Sequence, residues 1–352
     1  YDKELSMPIS KFFTLLIIFV SNFTFPINTS YATSVNDTIP NNILMYHRFG
    51  ESVHPSTNIG IDQFEAHIEE LQVGGYSVLP IPDILSAINE DQPLPDKTIG
   101  ITIDDAYLSV YKEAWPRLRR ANFPFTLFIA TDAIDRKFDG YMNWEQVREL
   151  QASGVTIGSQ TASHLHMSAN QTDRNREDIQ TSNTRFKNET GVKPSLFAYP
   201  FGEASIKVQN IVKEAGFTHA FGQHSGALNA SSDKYYMPRF ALNESFGGIK
   251  RFRLISNVLG INYTDLSPLN PTLEENPPLF GFTLKKEAEH IKNITCYSGN
   301  QGKLLMQRLG PRVEVRLAHR FRPGRARINC TAPTPSGSWR WFGMLYYVPK
   351  TL

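Results

Sequence analysis

Two stretches of this 352-residue chain hold side chains suited to metal and proton chemistry. In Thr102-Ile103-Asp104-Asp105-Ala106-Tyr107, two adjacent carboxylates follow the largely β-branched run Ile99-Gly100-Ile101-Thr102-Ile103 and precede a helical segment. That order sets the pair at the carboxyl end of a buried strand, where open α/β and barrel folds place their chemistry. Adjacent residues in extended chain point opposite ways, so one carboxylate can bind a cation while its neighbour handles a proton. The second stretch, Gln160-Thr161-Ala162-Ser163-His164, adds an amide and an imidazole.

The elements that must position these groups follow from hydrophobic spacing. Ile43-Leu44-Met45-Tyr46 predicts a first buried strand, and Phe64, Ile68 and Leu71 mark a helix by their i, i+4, i+7 spacing. Strands are predicted at residues 76–79, 99–103, 125–130, 155–157 and 196–198. Helices are predicted at 81–88, 108–120, 144–152, 174–190 and 208–214. Repeated strand–helix units predict an α/β fold, a distorted (β/α) barrel, with an open doubly wound sheet as the alternative. Neither standard glycine-rich phosphate loop is present, which argues against nucleotide binding.

Beyond this region the texture changes. Pro268, Pro271, Pro277 and Pro278 mark a linker, and strands are predicted at 312–321, 326–331 and 341–348. The expected organisation is a barrel over residues 33–268 and a small β-rich appendage over 269–352. Cys296 and Cys330, the only cysteines, fit one disulfide in an exported protein; two buried thiols are the alternative. At the amino terminus Lys11 precedes the apolar run Phe12 to Val20, and Ser30-Tyr31-Ala32 has the small-x-small form of a cleavage site. Residues 1–32 are therefore expected to be a signal peptide, which implies a periplasmic, extracellular or surface-associated protein; an uncleaved anchor is the alternative. The run is shorter than the ~20 apolar residues a spanning helix needs. With 36 basic and 34 acidic residues, net charge gives no argument for nucleic-acid binding.

Taken in order, Tyr46-His47, Thr-Ile-Asp-Asp, Phe125-Thr126-Leu127-Phe128, Asn143-Trp144, Ile157 to His164 and Tyr199-Pro200-Phe201-Gly202 make the chain resemble the polysaccharide deacetylases with a NodB-homology domain, carbohydrate esterase family four. The resemblance covers roughly residues 43–240. It implies Asp104 as general base and Asp105 as a ligand of a divalent metal, zinc by preference, together with His164. The family has His where Gln160 stands. Gln160 could ligate weakly, His166 or a water could fill its place, or the site could be poor in metal. The backbone N–H of Phe201 would stabilise the oxyanion, since Pro200 has none. The Arg that many members carry two residues before the proline is replaced by Ala198. Arg239, in Met237-Pro238-Arg239-Phe240, matches a late family segment that could orient acidic partners. For the general acid, His47 matches a family position and His224 is a second candidate.

The implied activity is hydrolysis of N-acetyl groups on amino sugars of a polysaccharide. A glycan-binding protein with impaired catalysis and an O-acetyl esterase are the alternatives. Arg308, Arg312, Arg316, Arg320, Arg322, Arg325 and Arg327 run through the appendage with Trp339 and Trp341 nearby. They read either as a polysaccharide-contacting surface or as a solvated strand face over a tryptophan-containing core.

Overall fold

Buried apolar runs supply the strands and amphipathic segments the helices. The computed structural model describes residues 41–352; the expected signal segment lies outside them. Its first half runs β1 (Asn41–Tyr46), β2 (Arg48–Phe49), β3 (Asn58–Ile59), α1 (Ile61–Val73), β4 (Ser77–Val78), α2 (Ile81–Asn89), β5 (Thr98–Asp104), α3 (Trp115–Arg120), β6 (Thr126–Ile129), α4 (Thr131–Asp135), α5 (Trp144–Ala152) and β7 (Thr156–Ser159). It continues through α6 (Thr172–Thr190), β8 (Leu196–Ala198), α7 (Ile206–Glu214), β9 (His219–Phe221), β10 (Phe240–Ala241) and α8 (Ile249–Ser256).

The strands pair in parallel in the order β10-β1-β5-β6-β7-β8-β9, with β4 on the first residues of β5. Every residue of β1 and β5 is buried, as expected for central parallel strands covered on both faces. The segment after β9 completes the ring. Met237 exchanges two 2.9 Å backbone hydrogen bonds with Ala220 and Gly222, and Phe240 then pairs with Leu44 of β1. The predicted distorted barrel is thus the observed architecture. The helix predicted at 108–120 differs: a π turn at Val110–Ala114 precedes α3. Pro116 lacks an N–H and its ring crowds the carbonyl of Lys112, so the regular ladder cannot pass through this point.

The remaining strands are β11 (Tyr263–Ser267), β12 (Phe280–Leu284), β13 (Thr295–Ser298), β14 (Gly302–Lys303), β15 (Leu305–Leu309), β16 (Arg312–Arg316), β17 (Gly324–Pro333) and β18 (Trp339–Val348). They form two antiparallel sheets, β11-β12-β16-β15 and β14-β13-β17-β18. The proline-rich stretch connects β11 to β12 within one sheet, so strands on its two sides are direct partners. Cys296 and Cys330 face each other across β13 and β17 and are bonded. This region packs on the barrel: Trp341 N–H donates to the Leu259 carbonyl at 2.8 Å, and the Trp341 ring meets Phe240 edge-on. Among the described residues no helix is long and apolar enough to cross a membrane.

Candidate active site

The carboxyl ends of the parallel strands bring the acidic pair, the His164 loop and the Phe201 loop to one mouth. Asp104, the last residue of β5, is fully buried and held by a guanidinium as buried as itself. Arg239 donates from Nη1 to Oδ1 at 2.7 Å and from Nη2 to Oδ2 at 2.9 Å. Nε also reaches the Gly222 carbonyl at 2.9 Å and Nη1 reaches Thr102 Oγ1 at 3.1 Å. Four of the five guanidinium N–H groups thereby meet oxygen, as a buried cation requires. Arg239 therefore fixes the orientation of the Asp104 carboxylate. His47 Nε2 lies 3.9 Å from Asp104 Oδ2.

Asp105 begins the turn after the strand, at φ 77°, with its N–H donating to the Phe128 carbonyl at 2.9 Å. This unfavourable backbone swings its carboxylate away from Arg239. His164 Nε2 lies 3.3 Å from Oδ1, within ion-pair range, yet Oδ1 is buried without an aligned hydrogen-bond partner among the described residues. Burial would raise the Asp105 carboxyl, but the contact and charge of His164, the charge of His47 and the Tyr107 hydroxyl outweigh it. They hold the carboxyl well below the usual carboxylate range. Burial correspondingly works against a charged His164, while Asp105, and then the charges of Asp104 and Glu203, raise its imidazole above the ordinary value.

Behind His164, the loop after β7 is clamped from α6. Asp178 Oδ2 accepts from the Ala162 and Ser163 N–H groups, both at 3.0 Å, and Oδ1 accepts from Ser163 Oγ at 2.7 Å. Thr161 and His164 both have positive φ, 68° and 54°, so this turn depends on the clamp. Gln160 is fully buried, its N–H bonded to the Ile129 carbonyl at 2.8 Å. Neither its Oε1 nor its Nε2 has a hydrogen-bond partner among the described residues.

Phe201 also takes a left-handed backbone, φ 60° and ψ 3°. Gly202 follows at φ 71°, where an added Cβ would lie 2.6 Å from that of Gln223, so the turn needs glycine. The Phe201 ring meets His164 edge-on at 4.6 Å and stacks on His166 at 3.8 Å. His166 in turn holds the buried Glu203 carboxylate, Nδ1 to Oε2 at 2.8 Å. His224 is buried against Tyr236, and burial, with the charges of Arg239 and Arg327, pulls its imidazole down to about 3. That direction disfavours the imidazolium form that a general acid would use. On the open side, Tyr107, Phe138, Tyr141 and Arg136 line a cleft with Asp105 and His164.

The donor set can be tested for a cation. Two ligands of a tetrahedral zinc, each about 2.0–2.1 Å away, stand roughly 3.3 Å apart. Asp105 and His164 have that spacing, and the Gln160 amide is a buried polar group without a partner. Asp105 and His164 alone thus have the spacing of two cation ligands, and no group of three His, Cys, Asp or Glu suited to a metal occurs among the described residues.

Fold and mouth together define a parallel α/β barrel with carboxylates, imidazoles and a tight backbone turn gathered at the strand ends. Residues 91–220 match the polysaccharide deacetylase family, and the chain carries a domain of that family. It is 24% identical over 206 residues to the putative polysaccharide deacetylase YxkH of Bacillus subtilis, covering 58% of this chain and 72% of that protein. It is 26% identical over 204 residues to the poly-beta-1,6-N-acetyl-D-glucosamine N-deacetylase of Escherichia coli K12. That match covers 46% of this chain and spans 30% of the relative's length. The Streptococcus pyogenes deacetylase PplD shares the fold, with a TM-score of 0.57 at 17% identity over 62% of this chain and 99% of its own.

Proposed function

We propose that the protein is an exported, divalent-metal-dependent deacetylase that removes N-acetyl groups from amino sugars of a polysaccharide. The observation that carries this reading is the division of the acidic pair. Asp104 is fixed by Arg239, while Asp105 turns a buried oxygen without an aligned hydrogen bond toward His164, 3.3 Å away. Asp105, His164 and the Gln160 carbonyl would hold the cation, zinc by preference, which when bound supplies Lewis acidity toward water and the amide carbonyl.

The chain's own groups supply the rest. Asp104 accepts the proton of the attacking water; each of its oxygens keeps a lone pair beyond the one Arg239 occupies. The Phe201 N–H donates to the oxyanion, a contribution of about 3 kcal/mol in comparable sites. His47, beside Asp104, returns a proton to the leaving amine. The cleft walled by Tyr107, Phe138 and Tyr141 receives the sugar.

Purified protein loaded with zinc should release acetate from N-acetylglucosamine oligomers, lose that release on chelation, and lose it in Asp104→Asn. Folded, zinc-loaded protein that releases no acetate yet binds the oligomers would instead be a glycan-binding protein, the reading that Gln160 in place of an imidazole favours. Release from O-acetylated polymer alone would make it an esterase, which needs no strong general acid.

A further inference from the structure

The site mouth is built partly by the C-terminal sheet. Tyr236 Oη lies 2.9 Å from both the Gly202 and Leu345 carbonyls, and Thr272 Oγ1 donates to the Ala204 carbonyl at 3.0 Å. The turn carrying Phe201 is therefore tied to β18 and to the connection after β11. From β17, Arg325 Nη1 reaches the Phe201 carbonyl at 3.4 Å, and its guanidinium carbon stands 5.9 Å from the Phe201 ring centre.

Arg325 and Arg327 share one face of β17, because Ala326 and Ile328 turn into the core. Among the described residues neither reaches a carboxylate within ion-pair distance. The contrast with β16 is direct: there Glu314 lies between Arg312 and Arg316, at 2.7 and 3.9 Å, and balances both. On β17 no acid separates the two charges. Arg325 reaches the Phe201 turn and Arg327 follows it on the same exposed strand face, so two guanidinium groups without a carboxylate partner can each meet an oxyanion with a planar fork. The family match ends at residue 220, so β17 lies outside it.

We propose that Arg325 and Arg327 form an anion-binding station at the barrel mouth. The preferred substrate is then an N-acetylated polysaccharide bearing an oxyanion, carboxylate or phosphate diester, next to the acetamido sugar. The inference rests on the deacetylase reading for the identity of the polymer, but the charge preference is measurable without catalysis.

Three probes separate the possibilities: a neutral N-acetylglucosamine oligomer, an alternating glucuronate–N-acetylglucosamine oligomer, and a phosphodiester-linked N-acetylglucosamine oligomer. Binding is measured by calorimetry in chelator at low and moderate salt, and acetate release with zinc. At least one anionic oligomer should bind about tenfold more tightly than the neutral one, and which one does so identifies the oxyanion. The preference should shrink with salt and fall to near unity in Arg325→Gln/Arg327→Gln. Arg325→Lys, which keeps the charge and guards against a folding defect, should retain part of it. Equal binding of all three probes, or a preference that survives in the double Gln variant, overturns the proposal. Acetate release from the neutral oligomer in that case leaves the deacetylase reading standing. A charge preference without acetate release from any probe sinks the deacetylase reading and keeps the anion station.

Discussion

Replacing Arg239 by Met tests the link between barrel and chemistry. Both partners of the Arg239–Asp104 pair are fully buried, so Asp104 would be left as an uncompensated carboxylate in the core. Breaking a buried pair from one side costs about 3–5 kcal/mol, against about 0–1 kcal/mol for an exposed pair. Set against a whole-domain stability of about 5–15 kcal/mol, that leaves a folded but much weakened protein. The Gly222 carbonyl loses its donor as well, which places the expected loss toward the upper part of the range. Urea unfolding followed by tryptophan fluorescence gives the stability, and acetate release gives kcat and KM. Arg239→Met should lose 3–5 kcal/mol on the grounds above, and kcat should fall with KM nearly held, since only the orientation of Asp104 changes. Asp104→Leu/Arg239→Met, with both charges gone, should regain most of the stability and none of the activity. A single variant within about 1 kcal/mol of the parent, or a double variant no more stable than the single, would refute the reasoning.

Gln160→His should raise zinc affinity by at least tenfold in competition with a fluorescent chelator; unchanged affinity would show that position 160 does not face the cation. Asp178→Ala removes the acceptor of two loop N–H groups, with an expected loss of about 2–3 kcal/mol in urea and a 10–100-fold weaker zinc site. Equal zinc affinity in that variant would show that His164 is held by other contacts. Stability should also fall in mild acid. His67 is buried between the Tyr46 hydroxyl and the Gly247 carbonyl, and burial first, then the charge of Arg251, pulls it down to about 4. Below about pH 6.5 the unfolded chain takes up a proton that folded His67 refuses, so stability declines from there to about pH 4, by up to about 3 kcal/mol. Urea midpoints at pH 7.5 and 5.0 should diverge less in His67→Gln than in the parent; parallel declines would count against the assignment.

Local pattern carried much of this structure. The strand that ends at Asp104 is legible because a fully buried parallel strand reads as a largely β-branched run ending in charge. The helix Trp144–Ala152 follows from its spacing and its Asn143 cap, which accepts from the Gln146 N–H at 2.9 Å. The pairing of β11 with β12 across the prolines was not legible, since nothing in either segment specifies its partner. Asp178 was hidden in a helix that reads as polar throughout. Its signal was there in the 3–4 spacing of Asn175, Asp178, Ser182 and Phe186, all buried, but a buried polar stripe looks like a solvated face until the acceptors are counted. His166 reads as a loop histidine, and only the fold brings Glu203 and Phe201 to it.

The orientation of Asp104 shows why the site and the closure of the barrel are one problem. The carboxylate and its guanidinium are 135 positions apart, and no periodicity connects them. They meet because residues 237–242 first pair with β9 and then cross to β1, and Arg239 lies at the crossing. Its backbone N–H is taken by the His224 carbonyl and its Nε by the Gly222 carbonyl, both on the turn after β9, while its fork reaches Thr102 and Asp104 on β5. One side chain therefore joins the turn after β9 to the central strand β5 through the interior. A barrel left open between β9 and β1 would strand Arg239 and Asp104 as separate buried charges, so the energy that orients the proposed base also favours the closed ring.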